Sequence, residues 1–169
     1  MEFKYWFTLI FLGAIWGSAF IFIKVAAPEF GAIGLVQARL TIASLVFLPI
    51  LLQSKYLKLL KFAWKHSLIL AITNNAIPFT LFSFGSFGAD SNILAILNST
   101  TAFNTMIIAY IWLRESISSK QVFGLIIGFI GVIILVNPES STTSIFSAIL
   151  CLIGAACYSF STVFIQKNS

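Results

Sequence analysis

Residues 5–23 read YWFTLIFLGAIWGSAFIFI, 19 positions without an Asp, Glu, Lys or Arg. A helix rises about 1.5 Å per residue, so roughly 20 apolar residues cross a hydrocarbon core about 30 Å thick. Five more windows of this kind follow. Residues 30–54 number 25 with Arg39 as the one charge, 66–89 number 24, 91–113 number 23, 121–138 number 18 and 140–166 number 27. Pro28-Glu29, Ser54-Lys55, Ala89-Asp90, Arg114-Glu115 and Asn137-Pro138 punctuate them. The pattern predicts an all-α membrane protein of six transmembrane helices, with no room for a soluble domain. The first window is too long for a signal-peptide core and is read as an uncleaved signal anchor.

Composition agrees. The 169 residues are 59% hydrophobic and 9% charged, with ten basic and five acidic side chains. Soluble domains carry about 45–50% apolar and about 25% charged residues, and disordered chains are poorer still in apolar ones. Both classes are excluded.

Lysine and arginine placement sets the orientation. Lys4, Lys55, Lys58, Lys61, Lys65, Arg114, Lys120 and Lys167 fall on one side of the predicted threading, and Glu29, Asp90 and Glu139 on the other. Both termini are therefore expected in the cytoplasm, with the chain in a plasma membrane. The net charge of +5 is a topology signal, and no basic–aromatic patch suggests a nucleic-acid partner. Between residues 55 and 65 the lysines share one helical arc and Tyr56, Leu57, Leu60 and Trp64 the other. This stretch reads either as an amphipathic turn in the headgroup layer or as a solvated loop. Cys151 and Cys157 lie six apart in one span, cannot pair with each other, and read as small apolar packing residues.

Most Trp and Tyr residues sit at the expected cytoplasmic interface; Trp16 and Tyr158 lie inside their spans. A shift of 142 lays Ala14-Ile15-Trp16-Gly17 over Ala156-Cys157-Tyr158-Ser159. Span six would then open a second copy of a five-helix unit, and an odd-numbered unit repeats inverted, the architecture of secondary transporters.

The run Leu12-Gly-Ala-Ile-Trp-Gly-Ser18 with Phe20 and Lys24 resembles the opening helix of EamA-type transporters of the drug/metabolite transporter superfamily. Gln37-Ala-Arg39, Asn74-Asn-Ala-Ile-Pro-Phe79, Asn98-Ser-Thr-Thr101, and Leu113-Arg-Glu115 leading to Gly124, Gly128 and Gly131 are similar in order and spacing. The resemblance runs from about residue 5 to 166. It implies ten helices in two inverted repeats. Residues 1–138 would form the first repeat, and 139–169 the first helix of a second, incomplete one. Where the family often has Pro after the Asn-x-x-Thr stretch, this chain has Ala102.

Candidate solute-binding residues follow from polarity at depth. Arg39 is costly within a span and so either works there or snorkels out to Glu29; Lys24, nearer its helix end, is expected to snorkel. Asn98, Thr101 and Thr105 fall at i, i+3, i+7 on one stripe, and Thr100 and Asn104 on a second. Such neutral groups suit a wet cavity or interhelical hydrogen bonds. Asn74 and Asn75 precede Pro78, which removes a helix hydrogen bond and crowds the carbonyl of Asn74. Trp16 and Tyr158 complete the set, as solute contacts or as packing. Gly13/Gly17 and Gly124/Gly128 have the spacing of close helix contacts. The spans hold no carboxylate and no metal-ligand cluster, and the one histidine, His66, sits at a loop edge, so neither an enzyme nor a cofactor or metal is expected. The expected function is a secondary carrier or exporter of small polar or amphipathic metabolites, working by alternating access. The alternatives are a truncated remnant that does not transport, or a small protein that dimerises or pairs with a separate second half.

Overall fold

The computed structural model describes residues 3–136 and 143–168. The boundary expected at Asn137-Pro138, and Glu139, lie outside them. Eight helices follow in order: α1 (Phe3–Phe30), α2 (Ala32–Leu51), α3 (Ser54–Leu70), α4 (Ile77–Gly85), α5 (Ser91–Ser99), α6 (Thr101–Leu113), α7 (Ser119–Val136) and α8 (Ile145–Asn168). They build six apolar segments, because α3 and α4 are joined by a π-helical turn at Ala71–Ala76, and α5 and α6 meet at Thr100. No strand occurs among the described residues.

The segments Lys4–Phe30, Ala32–Leu51, Ser54–Gly85, Ser91–Leu113 and Ile145–Asn168 are long and apolar enough to cross a membrane. The 18-residue α7 is the short member. Polarity is distributed as lipid demands: Ser83, Ser86, Ser147, Ser159 and Ser161 are buried, while Phe22, Phe47, Ile111 and Ile134 lie open on the outside. The chain is an all-α membrane protein.

Contacts fix the relative directions. Phe20 meets Phe82 and Lys24 meets Ser86, so α1 and α4 run parallel. Ser161 meets Thr73, and the Ser144 amide donates to the Gly88 carbonyl, so α8 runs antiparallel to the α3–α4 segment. Ser159 meets Thr101 and Gln166 meets Glu115, so α8 runs parallel to α5–α6. One end of the bundle thus gathers His66, Trp112, Glu115 and Lys167, with the Lys167 ammonium 4.6 Å from the centre of the Trp112 ring. The other end gathers Lys24, Ala89, Asp90 and Ser144.

The lysine-rich stretch is helical from Ser54 onward, and α3 kinks at Ala63 (φ −102°, ψ 16°). A straight Ser54–Gly85 segment of 32 residues would exceed a hydrocarbon core of about 30 Å. The kink separates Lys55, Lys58 and Lys61 from the apolar part and supports the amphipathic reading of this stretch.

The core is organised by α8. Its residues Ser147, Cys151, Ala155, Ser159 and Val163 recur every fourth position and are all buried. Small side chains on that seam let α4 approach closely. A Cβ at Gly85 would collide with the Cys151 sulfur, and one at Gly154 would meet the Phe82 ring at 3.1 Å. The expected glycine seams are elsewhere: a Cβ at Gly13, Gly17, Gly124, Gly128 or Gly131 meets nothing within 4 Å. Spacing identifies a smooth helix face but not whether a neighbour covers it.

Overpacking a close-packed contact costs about 1–3 kcal/mol. Gly85→Leu is expected to lower the thermal unfolding temperature of the detergent-solubilised chain by several degrees, while Gly128→Leu leaves it unchanged. Differential scanning fluorimetry of the two variants checks this.

Candidate functional site

Two interruptions shape the middle of the bundle. Pro78 lacks an amide hydrogen, so an α-helix through it would leave the Asn74 carbonyl without its i+4 donor. The chain responds by widening: the Ile77 amide donates to the Ile72 carbonyl, five residues back. π turns of this kind concentrate at functional sites. The Thr73 hydroxyl donates to the Ile69 carbonyl at 2.8 Å and in turn accepts from the Ser161 hydroxyl at 2.8 Å. Asn74 and Asn75 are held half-buried in the widened turn.

The second interruption needs no proline. At Thr100 (φ −62°, ψ −16°) the amide donates to Leu97, three residues back, at 3.3 Å. The Thr100 hydroxyl takes the same carbonyl at 2.6 Å, and the Ser99 hydroxyl takes that of Ile96 at 2.6 Å. Hydroxyls that bond back to the preceding turn bend helices, so this interruption forms with Ala102 and no Pro beside it. Ser159 of α8 then donates to the Thr101 carbonyl at 2.9 Å.

Between these interruptions lies a cavity of about 510 Å³. α1 contributes Trp16 and Ala19, and α2 contributes Arg39. Asn74, Asn75 and Phe79 come from the widened turn and α4, Asn98 and Thr101 from α5–α6, and Tyr158 and Thr162 from α8. Seven of the eight residues expected from sequence therefore share one wall system. Thr105 does not. It lines a separate depression of about 320 Å³ near the His66–Lys167 end, with Ala109, Glu115 and Gln166. Ala19, Phe79 and Thr162 were not anticipated. Phe79 closes the Asn74–Phe79 motif, and Thr162 lies one helical turn beyond Tyr158, so spacing alone would have pointed to it.

The two intramembrane cations differ. Lys24 donates to the Ser86 and Ala89 carbonyls at 2.8 and 2.9 Å and lies 3.7 Å from Asp90. Its ammonium reaches onto the α4–α5 turn and caps carbonyls left open there. Arg39 does not reach for Glu29. Its guanidinium carbon lies 4.4 Å from the centre of the Phe79 ring, inside the cavity. Tyr158 packs beside that ring and against Phe82. The Thr101 hydroxyl is buried without a hydrogen-bond partner, an unmet polar group in the cavity wall. Among the described residues no cluster of three His, Cys, Asp or Glu side chains converges.

These features meet a clear set of comparisons. The family model described as the EamA-like transporter family matches residues 4–137. A protein of Archaeoglobus fulgidus described as an uncharacterized transporter is 26% identical over 164 residues, covering 95% of this chain and 57% of its own length. The chain thus spans a little over half of the curated relative it matches. No solved structure matches it. The matched region holds α1 to α7 and every cavity wall except that of α8, and the chain belongs to the EamA-like transporter family.

Proposed function

We propose that the cavity is the solute site of a secondary carrier or exporter of small polar or amphipathic metabolites, opened to each side in turn by alternating access. The carrying observation is a cavity of about 510 Å³ at the meeting point of two interrupted helices, lined by three neutral amides, two threonines, three aromatic rings and one guanidinium. Discontinuous spans at mid-depth are where carriers bind solutes, because irregular backbone is tolerated in a membrane only beside protein or water. Neutral donors and acceptors bind a polar solute and still let it go. The described wall offers no carboxylate or imidazole to carry a proton, which favours facilitated diffusion or exchange and argues against catalysis.

In this reading the six segments all cross a plasma membrane, with both termini in the cytoplasm beside the lysine-bearing connectors. Residues 1–138 form a five-helix repeat and 139–169 open an inverted second one. The open faces around Gly13, Gly17, Gly124 and Gly128 are where a second-half chain or a second copy would seat.

Two measurements test this. Asn98→Leu and Thr101→Leu are expected to reduce solute flux in proteoliposomes to the level of empty vesicles without changing the amount inserted. Undiminished flux would remove the cavity from the pathway. Reporter fusions at residues 60 and 90 are expected to be active in opposite compartments, and activity in the same one would overturn the threading.

A further inference from the structure

Among the described residues the cavity wall holds a single formal charge, and it is positive. The chain's five acidic residues are Glu2, Glu29, Asp90, Glu115 and Glu139, none inside a predicted span. Asp90 lies 3.7 Å from Lys24, Glu115 accepts from Gln166, and Glu29 is exposed at the end of α1. No carboxylate lines the cavity with Arg39 among the described residues. A charge at such depth is costly unless it is paired or works on a ligand.

The geometry of Arg39 narrows what would pair with it. Its guanidinium stands over the Phe79 ring at 4.4 Å. Contact with a ring face cancels no formal charge. The N–H groups of a guanidinium form a rigid fork that matches a carboxylate in bidentate fashion. Trp16, Phe79 and Tyr158 supply flat apolar surface around the fork, and Asn74 and Asn98 supply neutral hydrogen bonds. One cation, with no second within the wall, suits a monoanion better than a doubly charged phosphate.

We infer that the transported solute is a small organic monoanion: a carboxylate seated on the Arg39 fork, with a flat apolar body against Trp16, Phe79 and Tyr158. This inference rests on the cavity being the solute site, and the two can fail separately. The probes are radiolabelled benzoate and its neutral and cationic analogues, benzamide and benzamidine, in equilibrium binding to the full chain in lipid nanodiscs. Wild type is expected to bind benzoate about tenfold or more tightly than benzamide, as charge-assisted pairing implies. Arg39→Gln, which removes a charge from a span and so does not hinder insertion, should abolish the preference and bring the ratio of the two affinities to about one. Arg39→Lys should keep part of the preference, having the charge without the fork. Asn98→Leu should weaken benzoate and benzamide alike. Equal binding of the two by wild type, a preference that survives Arg39→Gln, or tightest binding of benzamidine would overturn the anion inference and leave the cavity reading standing. Binding of none of the three would overturn both.

Discussion

Hydrocarbon offers no hydrogen bond to a backbone amide or carbonyl, so a span that departs from α-helix must find its partners within the protein. This chain departs twice, at the π turn Ala71–Ala76 and at Thr100. Both departures are held from α8. Ser161 reaches the Thr73 hydroxyl beside the first, and Ser159 reaches the Thr101 carbonyl beside the second. Those bonds of 2.8 and 2.9 Å require α8 to lie close to α4 and α5–α6 at once. Closeness in turn requires the small residues of its buried seam and the glycines they meet. Remove that approach and the interruptions lose their partners, and the cavity between them loses its walls.

What was legible in the sequence follows from which constraints act locally. Lipid acts on composition, so charge-free windows revealed the segments directly. Proline acts through its own missing hydrogen, so the disturbance before Pro78 could be placed near Asn74. The bend at Thr100 could not, because it comes from hydroxyl groups choosing carbonyls three residues back, an option open to any threonine. Thr105 fails for a different reason. It follows Thr101 within α6, and four residues of helix rise about 6 Å. That step along the axis carries it out of the cavity into the depression with Glu115 and Gln166.

The glycine seams show the same limit from the other side. Small-xxx-small spacing is a property of one helix, and contact is a property of two. Gly124 and Gly128 have the spacing, yet face Ser99, Ala102 and Phe103 across an open depression with no atom within 4 Å of a Cβ, whereas Gly85 meets Cys151 without belonging to the expected pattern. The seam that does pack is spread over Ser, Cys, Ala and Val, whose common feature is size. A reading tuned to glycine passes over it.

Lys24 and Arg39 present the same problem at comparable cost, and the fold resolves it in opposite ways. An ammonium is a compact point charge, and three oxygens from Ser86, Ala89 and Asp90 surround that of Lys24. Its work is complete in the resting fold: it ties α1 to the α4–α5 turn. A guanidinium is planar and can be held by its face while its edge stays free. Phe79 lies under Arg39 at 4.4 Å, and no carboxylate stands with it in the described cavity wall. A lysine at residue 39 would need oxygens to satisfy it, and in finding them would spend the charge. An arginine over a ring keeps the charge available at depth, and that availability separates the cation that belongs to the scaffold from the one that belongs to the cavity.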